Sequence, residues 1–317
     1  MSLHEELKVV LRTARLYYED GLTQQQVADE LDVSRPQVSR LLARARAEGI
    51  VRTIIVDPFA SFGEIETRLV ETFGLDRAVI TAGEGLNGEP LRRRIGLAAA
   101  EYLQGALTND LKVGVGWGRT LYAVVEALGD ERRANIQVFP LIGGMGQVSP
   151  SFQVNDLARR VAEAFGSVAR ALYVPAFVGD RQARDALLRH PDVGMVMDAW
   201  DSLDVALVGI GHFEFHRQSS MFFADYMDQA LLRELEEQGA VGDLCGRFFD
   251  VRGEQCVLEP EVTGISLEQL RALQHVVGIA GGEEKVAAIL GALRGGYLNV
   301  LITDTITAQA VLRRGDT

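Results

Sequence analysis

The residues Gly116-Trp117-Gly118-Arg119-Thr120 follow a short apolar run, "VGV", and lead into an amphipathic stretch, "TLYAVVEAL". Glycines let a backbone come close to a ligand, amides at the start of a helix attract anions, Thr120 adds a hydroxyl and Arg119 a charge. Such a set suits a phosphate or a sugar hydroxyl. It matches neither common nucleotide signature: Gly114-x-Gly116-x-Gly118 lacks the dinucleotide spacing, and no Lys-Ser or Lys-Thr pair follows as in a P-loop. One loop of this kind is more often a tight turn than a phosphate site, so its weight depends on its company.

Gly143-Gly144-Met145-Gly146, Pro175-Ala176, Gly209-Ile210-Gly211 and Thr303-Asp304 also close apolar runs, and Gly281-Gly282 precedes a helical stretch bearing Lys285. Several such ends on one side of a sheet predict a pocket for a small polar or phosphorylated molecule. Lysine occurs only at positions 8, 112 and 285. Lys285 is therefore either retained for its compact charge beside a ligand or an ordinary lysine paired with nearby glutamates. Asp243 and Arg247 fall together in "GDLCGRFFD", where Asp243 can accept sugar hydroxyls or simply close a turn. His212, Glu214 and His216 in "HFEFH" have a superficial likeness to a metal site; a loop or sheet edge is the plainer account, and no metal ligand is assigned. Spacing singles out no nucleophile motif or Ser/His/Asp set, so no catalytic residue is assigned either.

A second kind of chemistry lies near the N-terminus. From Ser34 to Arg46 the chain has four arginines and no acid, inside a first 55 residues whose eight basic and eight acidic side chains cancel. Apolar residues at helical spacing from about Glu5 to Asp20 predict a first helix. Thr23, with Gln26 in capping-box position, opens a second, and Ser34 caps a third that tolerates Pro36 in its first turn and ends at Gly49. Val38, Leu41, Leu42 and Ala45 share one side of the third helix. Pro36, Gln37, Arg40, Ala43, Arg44 and Ala47 share the other. Paired short helices followed by one with an outward Gln/Arg face form the geometry that enters a major groove. Gln37 and Arg40 suit bidentate contacts to adenine and guanine edges, and Thr23, Arg35 and Arg44 suit phosphates. Ser39 belongs to the same candidate DNA-binding set. The β-branched "IVRTIIV" that follows predicts a strand or small wing.

The elements that must carry the glycine-rich loops alternate. Helical patterns at "FGEIETRLVETFG", "EPLRRRIGLAAAEYLQGAL", "TLYAVVEAL", "NDLARRVAEAFG", "RQARDALLRH" and "EEKVAAILGALRGG" separate apolar runs at "RAVITAG", "LKVGVG", "IQVFPLIGG", "ARALYVPAF", "DVALVGIG" and "LNVLITD". This predicts an α/β, Rossmann-like, mostly parallel sheet flanked by helices, over residues 57–317, behind an all-α helix-turn-helix domain over residues 1–56.

Length agrees with two domains, since 317 residues exceed one small core. The net charge of −12 argues against a protein that coats nucleic acid over its whole surface, while allowing a local basic element. Cys245 and Cys256 supply neither a disulfide framework nor a four-ligand zinc site. No spanning stretch or signal-peptide pattern is present, so no membrane partner and a cytoplasmic location are expected. No cofactor is implied.

The segment "YYEDGLTQQQVADELDVSRPQVSRLLARARAEGIV", followed in order by "VGVGWGRTL", "FPLIGG", "ALVGIG", "GDLCGRFFD", "GIAGGEEKVAAILGALRGGYLNVLITD" and a C-terminal "TA", closely resembles the SorC family of sugar-binding transcriptional regulators. The resemblance runs over essentially the whole chain. It implies a helix-turn-helix joined to an effector domain similar to sugar-phosphate isomerases and deaminases, assembled as a dimer or tetramer and controlling operator DNA. By position, Gly116, Trp117, Gly118, Arg119 and Thr120 would hold a phosphate or terminal hydroxyl of the effector, with Gly143, Gly144, Asp243 and Lys285 lining the same pocket. Some relatives use a pocket lysine as a Schiff base. "FPLIGGMG" offers none, so either Lys285 serves or binding is noncovalent. Trp117 and Arg119 stand where relatives that bind doubly phosphorylated sugars have hydroxyls, which favours a monophosphate or free sugar. Two other classes stay open at this point: a sugar-phosphate isomerase or deaminase with an accessory helix-turn-helix, and a metal-responsive repressor using His212 and His216.

Overall fold

Short helices with small, shared apolar stripes build the N-terminal part of the chain: α1 (Leu3–Tyr18), α2 (Gln24–Glu30) and α3 (Arg35–Ala47). The computed structural model describes residues 3–18, 20–48, 50–51, 62–129, 134–146, 152–213, 229–257 and 262–315. The chain divides into two units, Met1–Pro58 and Phe59–Thr317. In the first, the Thr23 N–H donates to Gln26 Oε1 at 2.9 Å and the Gln26 N–H returns a bond to Thr23 Oγ1 at 3.3 Å, the reciprocal box that starts α2. Val27, Ala28, Val38 and Leu42 form one small core, and Val10, Ala14 and Ala45 another. The third helix thus buries the predicted stripe, with Leu41 only half-buried. Gly49 and residues 52–56 of the predicted strand lie outside the described residues.

The second unit runs α4 (Gly63–Phe73), β1 (Arg77–Thr81), α5 (Gly88–Ala106), β2 (Lys112–Val115), α6 (Arg119–Ala127), β3 (Gln137–Pro140), α7 (Val154–Ala164), β4 (Val168–Ala169), α8 (Arg181–Leu188), α9 (Pro191–Ala199) and β5 (Val205–Gly209). It continues with β6 (Gly211–His212), α10 (Gln229–Glu237), β7 (Ala240–Leu244), β8 (Arg247–Asp250), α11 (Leu267–Ala272), β9 (Val276–Ile279), α12 (Val286–Arg294), β10 (Val300–Asp304) and α13 (Thr305–Gly315). Seven strands pair in parallel in the order β1-β10-β9-β5-β2-β3-β4. Successive side chains of a strand point to opposite faces, and here both faces are buried. Val113, Val115, Val205, Leu207, Val277 and Ile279 pack with the apolar stripes of α5, α6 and α7. Ala206, Val208, Val276 and Leu301 pack with those of α4, α9, α11, α12 and α13.

The sequence expectation is corrected at "ARALYVPAF". Only Val168 and Ala169 join the sheet there. The alternation persists, with Leu172, Val174 and Ala176 buried and Tyr173 exposed, but the backbone leaves the sheet to bond elsewhere: Gly144 N–H donates to Val174 O at 2.8 Å and Ala176 N–H to Gly144 O at 2.9 Å. A second, antiparallel sheet, β6-β7-β8, was not foreseen. Its tight turn carries Cys245 at φ 49° and Gly246 at φ 80°, two left-handed residues of the kind that match hairpin twist.

Candidate functional site

From β2 the chain proceeds outward to β3 and β4, then returns to β5 on the other side of β2 and proceeds to β9 and β10. Strand order therefore reverses between β2 and β5, and the carboxyl ends of these strands flank the crevice where open α/β sheets bind ligands. Gly116–Thr120 leaves β2 there and Gly209–Gly211 leaves β5. The Gly116 N–H donates to Leu207 O at 2.8 Å, holding the loop against β5. Gly118 sits at φ 111°, a conformation L side chains rarely adopt, and a Cβ built on it meets nothing within 4 Å. Gly118 also starts α6 without a side-chain cap. The N-cap position of α6 thus borders open space, at the end of a helix whose first-turn N–H groups find no partner in its own ladder. Arg119 is exposed, Thr120 half-buried, and Trp117 half-buried against both layers of the core.

Lys285 ends a short turn, Glu283–Lys285, after β9, the neighbour of β5. Its ammonium donates to Ile210 O. Burial pulls its pKa down to about 8, opposed by Asp243 and Glu284 and reinforced by Arg119 and Arg92. Asp243, in β7, accepts the Gly246 N–H at 3.0 Å, and burial raises its carboxyl to about 6 against that bond and the Lys285 charge. It backs onto Gly211 so closely that a Cβ there would stand 1.7 Å from Asp243 Oδ1. The structure therefore brings together the α6 loop, Lys285 and Asp243, a set able to hold an anionic group at one end and hydroxyls at the other.

The amides of Gly143 and Gly144 are already taken. The Gly143 N–H donates to Thr263 O and the Gly144 N–H to Val174 O, both at 2.8 Å, so neither amide is left for a ligand. A Cβ on Gly143 would lie 2.6 Å from Val174 O, which makes close backbone packing the reason for glycine there. Arg247 donates to Val262 O at 3.0 Å and Gly264 O at 3.2 Å. Asp304 caps α13, accepting the Thr307 N–H at 3.0 Å and the Gly282 N–H at 3.1 Å. His212 lies in β6, while Glu214 and His216 fall outside the described residues, among which no group of three potential ligands could hold a metal ion. Two neighbours of the crevice were not read from the sequence. Arg92, in α5, contributes charge to it, and Cys245 Sγ would stand 3.4 Å from a Cβ on Gly116. Burial pushes the Cys245 thiol up, away from thiolate chemistry.

In the N-terminal unit Arg35, Pro36, Gln37, Ser39 and Arg40 are exposed on α3, with Pro36, Gln37 and Arg40 on the side opposite buried Val38, Leu42 and Ala45. Arg44 pairs with Glu48 at 2.6 Å and Arg40 Nε donates to Pro36 O at 3.4 Å. Gln37 Oε1 accepts both the N–H and the hydroxyl of Ser34 at 2.9 Å. A bidentate adenine contact by Gln37 requires that this cap open, because the same oxygen must accept from the base. Thr23 is exposed at the start of α2, its hydroxyl donating to Gln26 Oε1 at 2.9 Å.

Residues 57–313 match the family described as "Putative sugar-binding domain", and residues 5–54 match "Homeodomain-like domain". The sorbitol operon regulator of Klebsiella pneumoniae is 33% identical over 99% of this chain and 100% of its own length. The chain belongs to the SorC family of sugar-binding transcriptional regulators. The crystal structure of full-length SorC from Klebsiella pneumoniae superposes with a TM-score of 0.76 over 96% of this chain and 98% of that one, at 32% identity. A deoxyribonucleoside regulator of Bacillus subtilis (strain 168) is 30% identical over 97% of this chain and 98% of its own. This SorC-family chain shares with the full-length SorC structure both the N-terminal helices and the parallel sheet. No helix among its described residues is long and apolar enough to cross a membrane.

Proposed function

We propose that this protein binds operator DNA through α3, and that a small sugar or sugar phosphate in the β2/β5 crevice sets its affinity for that DNA. The observation that carries the reading is the convergence of the uncapped α6 start at Gly118, the enclosed Lys285 ammonium and buried Asp243 at the reversal of strand order. Amides and a cation suit a phosphate or terminal hydroxyl. Asp243 suits sugar hydroxyls. A noncovalent sensor is favoured over an isomerase or deaminase, because its relatives are named as regulators and the two titratable groups have protein partners, Ile210 O and the Gly246 N–H. Gln37, Ser39 and Arg40 face the groove, with Arg35, Arg44 and Thr23 toward the phosphates. Dimeric or tetrameric assembly supplies the second half-site that one short helix lacks.

Thermal unfolding against pentoses, hexoses, polyols and their phosphates tests this. A ligand that binds only the folded state raises the midpoint, and the rise should vanish in Gly118→Asp, which places a side chain and a negative charge in the open space. Turnover of any compound on the panel would instead support the enzyme reading.

A further inference from the structure

α5 and α6 both start at the carboxyl edge of the sheet, and they cross in backbone contact: a Cβ on Gly96 would lie 2.5 Å from the Ala123 carbonyl oxygen. Arg92 is one turn before Gly96 and Arg119 one turn before Ala123, on the same faces. The glycine crossing therefore starts both arginines from the same end of the helix pair, within reach of each other's charge at the crevice. Their charges act on each other, and both act on Lys285. The acidic groups around them are Glu89, Glu284 and Asp243. Glu89 is half exposed and divided, holding Arg92 through Oε2 and exposed Arg93 through Oε1, each at 3.2 Å. Arg92 Nε is shielded from solvent and meets no acceptor. Like charges drawn together, with a buried donor unmet, are costly unless something anionic completes them.

Resting on the sensor reading above, we propose that Arg92 is an anion-binding residue of the crevice: it leaves Glu89 and, with Arg119 and the α6 amides, clamps a phosphoryl group carried by the effector. Glu89 then acts as an internal stand-in for that group and competes with it. The chemistry selects a singly phosphorylated, small polyhydroxy compound over its free form.

Equilibrium binding of inorganic phosphate to the full chain, followed by phosphorus NMR at fixed ionic strength, tests the assignment. Arg92→Gln should weaken phosphate binding about tenfold or more, Arg92→Lys less, and Glu89→Gln should tighten it several-fold. Arg93→Gln, which shares Glu89 but is exposed, should leave it unchanged. Circular dichroism checks that each variant folds, and the Arg92→Lys and Glu89→Gln arms decide the matter if Arg92→Gln does not. Phosphate binding lost in Gly118→Asp but unaffected by any Arg92 or Glu89 change overturns the role of Arg92 and leaves the sensor reading standing. If wild type binds free sugars but no phosphate, the anion assignment falls alone; if it binds neither, both fall.

Discussion

Lys285 and Ile210 join two strand ends: the lysine ammonium donates to the Ile210 carbonyl oxygen, tying the loop after β9 to the loop after β5. Beside them Asp243 is anchored by Gly246, so a cation and a carboxylate are enclosed in one crevice. Each is held away from its ordinary titration, mainly by burial.

That pair predicts a pH signature. Lys285 titrates at about 8 in the folded chain and near the ordinary lysine value when unfolded. Between those values the unfolded chain binds more protons, so stability rises with pH above about 8. Asp243 runs the other way: its carboxyl, at about 6 when folded, holds a proton that the unfolded chain has released, so stability falls as pH climbs from about 4 through 6. Urea unfolding from acid to alkaline pH should show both arms. Lys285→Met should flatten the alkaline one. Asp243→Asn, whose amide oxygen can still accept the Gly246 N–H, should flatten the acid one, and unchanged arms would refute the assignment.

The two kinds of glycine in the crevice should separate by mutation. Gly118→Ala meets open space but strained backbone, and should cost about 1–3 kcal/mol in stability while weakening ligand binding. Gly143→Ala collides with the Val174 carbonyl, so its loss should appear in the unfolding midpoint, with ligand affinity retained in whatever chain folds. Differential scanning fluorimetry with and without ligand distinguishes them.

On DNA, residues of α3 should differ in kind. Arg40→Ala should cost about 1–3 kcal/mol and relax discrimination at one base pair. Arg35→Ala should weaken specific and nonspecific DNA alike and reduce the salt slope by about 1. Gln37→Ala carries two costs, since it removes the partner of the Ser34 N–H as well as any base contact. A loss of helix stability of about 0.5–2 kcal/mol should accompany its loss of affinity. Fluorescence anisotropy on matched and mismatched duplexes, with thermal unfolding in parallel, resolves the three.

Much of this is legible in the sequence where local rules suffice. "DVALVGIG" reads as a doubly buried parallel strand because its apolar residues are contiguous, and β5 forms there. The Thr23 cap follows from Gln26 three residues later, and Gly118 from its place between strand and helix. Lys285 stood out by the scarcity of lysine. What escaped depends on distant partners. "ARALYVPAF" alternates like a strand, yet its pairing is decided by Gly144 and Thr263, far off in sequence. The β7–β8 hairpin was hidden because Cys245 occupies a left-handed position where Asn or Gly is the usual signal. Arg92 reads as one of three arginines on a helix until Gly96 packs on Ala123.

The central claim is that crevice and α3 are coupled, and coupling is reciprocal. The most direct test measures operator affinity of the full chain with and without the compound found by thermal shift, and the affinity for that compound with and without operator. Both should change by the same factor, about 5–150-fold, and Gly118→Asp should abolish both changes. A compound that binds the crevice yet leaves operator affinity unaltered would contradict it.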